Sequence, residues 1–183
     1  MLRKIYWVLC SLYNVCLFKK FGFPSYIYSP MVVQGKNKIS VGKKVRIYPQ
    51  ARIEAFGKRA NIRFGDDISV GPNVNITSMG NITVGDGTTI SSGVFITDVD
   101  HEYTFIDLPI MKQPNLIRDV EIGKNCFIGT GAVILPGTRL GKQCIVGANS
   151  VVRGYFDDYC VVVGSPAKIV KKYDSDLNEW VKV

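Results

Sequence analysis

One side chain in this sequence is suited to proton transfer near neutral pH. It is His101, the single histidine, in the segment Thr97-Asp-Val-Asp-His-Glu102. An uncharged imidazole can take a proton from a hydroxyl or amine in the physiological range, which few other side chains can do. Asp98, Asp100 and Glu102 flank it, and any of them could orient the ring. The competing reading is a solvated histidine on an acidic loop. A single histidine cannot supply a three-histidine zinc site, so no metal is expected. The five cysteines show no paired ligand spacing and imply a reducing compartment, hence a cytoplasmic location.

The element that must position such a residue is legible in a period of six. Leu116, Ile122, Ile128, Ile134, Leu140, Val146 and Val152 recur without slip. Four places after each comes a second set, Val120, Cys126, Ala132, Thr138, Cys144, Ser150 and Phe156, mostly small. Neither a helix nor a half-buried strand has this period. It is the signature of a parallel β-helix, an all-β solenoid that stacks coils about a narrow apolar axis. The leading aliphatics would point inward, the small residues would fill corners, and Gly after the aliphatic would permit the turn. Cys126 and Cys144 would then stack as small core fillers in neighbouring coils.

A second phrase gives the register: Ile39-Ser-Val-Gly, Ile62-Arg-Phe-Gly, Ile82-Thr-Val-Gly, Val120-Glu-Ile-Gly and Thr138-Arg-Leu-Gly. Read as one corner of successive coils, these phrases leave one large excess, the stretch from Asp98 to Asn115 that contains His101. Long loops in compact scaffolds are usually functional or disordered.

The run Ile122-Gly-Lys-Asn-Cys-Phe-Ile-Gly-Thr-Gly-Ala-Val-Ile134, with Val-Gly-Ala-Asn-Ser-Val-Val152 and the closing Val163-Gly-Ser-Pro-Ala-Lys168, resembles the hexapeptide-repeat acyltransferases. Within them it looks like the galactoside and maltose acetyltransferase branch. The resemblance covers roughly residues 39–172 and implies a left-handed parallel β-helix, three chains per active molecule, and acetyl-coenzyme A as acyl donor. It implies His101 as the catalytic base where the loop leaves the coil. Thr130 and Ala148, one full coil apart, would face the thioester and the pantetheine arm, with Thr130 stabilising the oxyanion. Phe127 would wall the acetyl pocket or pack between subunits. Lys168 and Lys171 would meet coenzyme A phosphates as point charges, and Arg153 would replace a basic residue the family often has nearby. Asn75, in Asn73-Val-Asn75-Ile-Thr77, would bind a sugar hydroxyl of the acceptor, the alternative being an ordinary β-helix corner residue.

The charge is uneven. Residues 1–63 hold thirteen Lys/Arg against the single acid Glu54, a net of +12, and the rest of the chain nets −4. That asymmetry points to an anionic partner for the N-terminal third, a lipid surface or a phosphorylated substrate. No nucleic-acid motif accompanies it. Residues 5–18 are uncharged between Arg3-Lys4 and Lys19-Lys20, too short for a spanning helix and followed by no small-residue cleavage site. They read either as a helix packed on the coils or a neighbouring subunit, or as an interfacial helix at the inner face of the membrane. The expected organisation is therefore an N-terminal apolar and basic segment with connector over 1–38, a β-helix over 39–172 with the loop at 98–115, and a tail over 173–183. Residues 175–181 are expected to form a short helix.

These features support an acetyl-coenzyme A-dependent O-acetyltransferase acting on a sugar hydroxyl in surface-polysaccharide assembly. An N-acetyltransferase for an aminosugar or antibiotic uses the same base, and a non-catalytic β-helix scaffold would keep the hexads without the histidine.

Overall fold

The computed structural model describes residues 5–7, 9 and 13–183. From Lys20 onward the chain visits three sheets in rotation. The first sheet contains Lys20–Phe21, Ile39–Val41, Asn61–Phe64, Asn81–Val84, Val120–Ile122, Arg139–Leu140 and Tyr155–Phe156. The second contains Tyr26–Ile27, Arg46–Ile47, Ser69–Val70, Thr89–Ile90, Phe127–Ile128, Ile145–Val146 and Cys160–Gly164. The third contains Val32–Gln34, Arg52–Ala55, Asn75–Ser78, Phe95–Thr97, Val133–Ile134 and Val151–Val152. Neighbouring coils pair parallel, and Ile39, Ile62, Ile82 and Val120 stand in one register, as the recurring phrase requires.

The period of six becomes a core through this stacking. In the third sheet Ile76, Ile96, Ile134 and Val152 lie one above another, each fully buried. Ala132, Cys126, Cys144, Thr138 and Ser150 fill the corners, also buried. Every aliphatic in such a column is shielded by the coil above and below, so burial is nearly complete despite the narrow axis. The glycine rule has a steric cause at Gly129. A Cβ there would lie 2.7 Å from both the Ala148 amide nitrogen and the Val146 carbonyl oxygen.

Three features differ from expectation. Pairing begins well before Ile39, because Lys20–Phe21, Tyr26–Ile27 and Val32–Gln34 already form a coil. That coil takes up part of the 1–38 stretch expected to hold the connector, with Gly22, Pro24, Pro30 and Gly35 at its bends. The expected C-terminal helix is a strand, Glu179–Lys182, pairing antiparallel with Ala167–Asp174. Asp174 Oδ1 accepts the amides of Asp176 and Leu177, which closes a hairpin turn in place of the expected helix. The inserted stretch is also more ordered than a free loop. Val99–His101 pairs antiparallel with Asn115–Ile117, placing His101 opposite Asn115.

The N-terminal segment lies partly outside the described residues. Ile5, Tyr6, Trp7 and Leu9 are helical, and Tyr13–Cys16 form one 3-10 turn. The Trp7 ring stacks on Tyr28 with centroids 4.0 Å apart. No helix among the described residues is long and apolar enough to cross a membrane.

Candidate active site

His101 sits at the end of a short strand that leaves the third sheet just past Phe95–Thr97. The root of this excursion is held by Asp98, whose carboxylate is fully buried. It accepts the Ser78 hydroxyl at 2.6 Å and the amides of Met79 and Gly80 at 2.8 and 2.9 Å. A carboxylate with three donors is satisfied without a cation, so Asp98 anchors the hairpin to the coil beneath it. The loop tip is tied by Gln113, also buried, which accepts the Phe105 amide and donates to the carbonyls of Phe105 and Leu108. Nothing in the repeat pattern pointed to Gln113.

None of the three candidate acids touches the imidazole. Asp98 is engaged as described, and Glu102 accepts the amides of Tyr103 and Thr104, which hold its carboxyl below the usual range. Asp100 accepts the His101 backbone amide at 3.0 Å and the Arg153 guanidinium at 2.8 Å. The Arg153 hydrogen bond, more than the amide, keeps the Asp100 carboxyl below its ordinary value. His101 Nδ1 is shielded from solvent and has no hydrogen-bond partner among the described residues.

Arg153 thus pairs with Asp100, on the strand that carries His101. It follows the strand Val151–Val152, at the edge where strands of the third sheet end and where the inserted hairpin departs. Register arithmetic would have found it. Ile96, Ile134 and Val152 stack, so Thr97, Leu135 and Arg153 succeed one another on that edge.

Thr130, Ala148, Asn75 and the Gly164–Lys168 turn stand at or near the opposite edge of the same sheet, whereas Phe127 and Lys171 lie on the second sheet. Thr130 and Ala148 are exposed at the corners between the second and third sheets, where the Asn149 amide donates to the Thr130 carbonyl at 2.9 Å. Asn75 begins a strand of the third sheet near this edge, its side-chain amide donating to the Asn73 carbonyl at 3.1 Å. Lys168 pairs with Val163 across the terminal hairpin, and the Gly164 amide donates to Ser150 Oγ at 3.1 Å. Thr130, Ala148 and the Gly164–Lys168 turn thus climb one edge in successive coils. Phe127 projects half-exposed from the second sheet, in register with Thr89 and Ile145. Lys171 is exposed opposite Val161. Within one chain, strands of the third sheet separate this tract from His101.

Residues 119–154 match the bacterial transferase hexapeptide family (six repeats). The chain is 37% identical over 161 residues to an Escherichia coli (strain K12) protein named as a lipopolysaccharide biosynthesis O-acetyl transferase, WbbJ. That alignment spans 84% of this chain and 81% of the relative. The chain belongs to the hexapeptide-repeat acyltransferases. Among solved structures, a mutant of AntD, an N-acyltransferase from Bacillus cereus in complex with dTDP and coenzyme A, superposes with a TM-score of 0.76. It is 20% identical, over 91% of this chain and 90% of that one. Galactoside acetyltransferase in complex with coenzyme A gives a TM-score of 0.66 at 24% identity, over 74% and 66%. These likenesses give the coils of the acyltransferase their left-handed parallel β-helix fold.

Proposed function

We propose that this acyltransferase moves the acetyl group of acetyl-coenzyme A to a hydroxyl of a sugar in surface-polysaccharide assembly. The observation that carries the reading is the state of His101. It is the chain's one histidine, held on an anchored hairpin, and its Nδ1 has no hydrogen-bond partner among the described residues. An imidazole left unengaged on a rigid support is available to a substrate.

In this reading Asn75 orients the sugar, and His101 Nε2 takes the proton of the acceptor hydroxyl as its oxygen attacks the thioester carbonyl. The tetrahedral oxyanion receives a hydrogen bond from the Thr130 amide or hydroxyl. Collapse breaks the carbon–sulfur bond, and the proton on His101 passes to the departing coenzyme A thiolate. Phe127 and Ala148 flank the acyl and pantetheine groups, and Lys168 and Lys171 meet the phosphates. Asp100 and Arg153 are positioning residues, since neither reaches the ring.

The base and the donor tract lie on opposite edges of one sheet, so a complete site needs two chains. A buried ring N–H without an acceptor costs about 1–3 kcal/mol, and a group from a second chain would satisfy Nδ1. Exposed Tyr103, Phe105, Ile106 and Met111 on the histidine loop give that chain an apolar surface to cover. These features support a homotrimer with active sites between subunits. The cation-rich first coils and the apolar residues 1–20 support peripheral contact with the inner face of the membrane. Sedimentation with anionic vesicles that weakens on deleting residues 1–20 is the corresponding measurement.

Calorimetric titration with acetyl-coenzyme A, followed by thiol release with sugar acceptors, tests the transferase reading. Saturable binding and turnover abolished by His101→Ala are expected. No binding and no thermal stabilisation at millimolar donor would leave a scaffold. The N-acyltransferase neighbour favours an amine acceptor as the second reading. Aminosugars outcompeting hydroxyl acceptors in kcat/KM would establish it.

A further inference from the structure

The third edge of the solenoid, between the first and second sheets, holds a cavity that the transfer reaction does not use. It measures about 540 Å3 and is lined by Gln143, Tyr159, Tyr173, Ser175 and Trp180. That volume is within the range of small-molecule sites, and an apolar aromatic wall with a few polar groups is their usual lining. Three of the five residues come from the terminal hairpin, which lies outside the repeat.

The backbone shows that Tyr159 is placed there against local preference. At this corner successive coils present Lys44, Asp67, Gly87, Asn125, Gln143 and Tyr159, all with φ between 53 and 70°. From Asp67 to Tyr159, each amide in this column donates to the coil below. Glycine and short polar residues adopt this left-handed conformation readily, whereas a bulky aromatic does so at a cost. The last coil alone spends that cost on a tyrosine whose carbonyl accepts the Tyr173 amide at 3.0 Å. Strain of this kind persists where the surroundings overdetermine it, typically at binding sites.

The chemistry of the lining selects a ligand class. Tyr159 and Tyr173 meet at 47° with centroids 6.0 Å apart, and Tyr173 and Trp180 at 67° and 5.7 Å. Rings set at these angles wall a box and offer no parallel slot for a flat base. Lys142 Nζ lies 5.4 Å from the Tyr159 ring centroid, so a cationic guest would meet a resident cation. No acid or base lines the cavity, and its polar groups are the Gln143 amide, the Ser175 hydroxyl and the tyrosine hydroxyls. Tyr173 already donates its hydroxyl to Asn178 Oδ1. A neutral pyranose matches this set, with apolar C–H faces for the rings and hydroxyl edges for the amide and hydroxyl.

We propose that the Gln143/Tyr159/Tyr173/Trp180 cavity is a carbohydrate subsite that binds a neutral sugar ring of the glycan acceptor away from the acetylated hydroxyl. It rests on the reading that the acceptor is a glycan. The test uses the full chain with Trp7→Phe, which leaves Trp180 as the sole emitter of the two tryptophans. Methyl glycosides of glucose, galactose and N-acetylglucosamine are titrated against its fluorescence. A saturable change with at least one glycoside is expected, weakened about tenfold by Gln143→Gly, whose left-handed backbone glycine accepts. Ser175→Ala should weaken it as well. Unchanged emission with every glycoside, saturation by adenosine or tetramethylammonium instead, or a response indifferent to both variants overturns the subsite. Thiol release from acetyl-coenzyme A, measured in parallel, keeps the two readings separate. Turnover without a Trp180 response removes the subsite alone, whereas a Trp180 response without turnover removes the transferase reading and leaves a sugar-binding site.

Discussion

Arg153 Nη2 lies 2.8 Å from Asp100 Oδ2, joining the end of a third-sheet strand to the strand that carries His101. The other Asp100 oxygen accepts the His101 amide, so the pair locates the backbone of the candidate base. As an exposed ion pair it contributes little to stability, about 0–1 kcal/mol. Its effect should therefore show in catalysis. Arg153→Ala and Asp100→Asn are each expected to lower kcat about 10–100-fold with little change in KM for acetyl-coenzyme A. Arg153→Lys should recover part of the loss. A rise in donor KM with kcat intact would return Arg153 to phosphate binding.

The same pair gives a pH dependence with a definite sign. Asp100 is held below its unfolded value, first by Arg153 and then by the His101 amide. Its stabilising contribution is present above the ordinary carboxylate value of about 3.9 and is lost as pH falls through the depressed folded value. Amide exchange in residues 99–117 should stay slow at pH 5 and accelerate below the usual carboxylate range. Asp100→Asn should abolish that acid step, and a step that persists in the variant assigns it to another group.

The proposal that the active site is shared between subunits predicts complementation. His101→Ala and a donor-edge variant such as Ala148→Trp should each be inactive alone. Refolded together at equal amounts, they should recover about a quarter of wild-type turnover, since one site in four then draws both intact parts. Activity that stays at the background of the separate variants would place the whole site within one chain.

Gly129→Ala tests the close approach of coils. The added carbon has backbone atoms of the next coil as its nearest neighbours, at 2.7 Å. Overpacking of this kind costs about 1–3 kcal/mol, and a chain of this length loses about 2–4 °C in Tm per kcal/mol. Gly154→Ala is the steric control, because a Cβ there meets nothing within 4 Å, though its φ of 115° still carries strain.

The described cysteines should divide sharply in reactivity. Cys126, Cys144 and Cys160 are buried and free, whereas Cys16 is exposed. The Cys144 sulfur contact and burial push the Cys126 thiol up, and burial does the same to Cys160. Native labelling with a thiol reagent should modify Cys16 and spare these three until the chain unfolds. Rapid native modification of any of the three would mean that the last coils open readily.

The sequence by itself determined the solenoid, because a parallel coil stack converts a one-dimensional period directly into a core. The column Ile39, Ile62, Ile82, Val120 could be written down from the recurring four-residue phrase alone. It also singled out His101, since one histidine in one insertion needs no fold to be noticed. Where the period lapses, the reading lapsed with it. Residues 20–34 keep one corner glycine, Gly22 against Gly42, but have Ser25 where the next coil has Val45, and still form a coil. Residues 175–181 close a hairpin onto Ala167–Asp174, which itself pairs back on the last coil outside the six-residue period. Only the tertiary structure decided that Asp98 is an anchor, that Arg153 pairs with Asp100 beside the histidine, and that Thr130 lies across a sheet from it. Those facts depend on which edge of a sheet each corner occupies and on which donors reach a buried carboxylate. Side-chain contacts of that kind join residues far apart in the chain, and no local pattern encodes them.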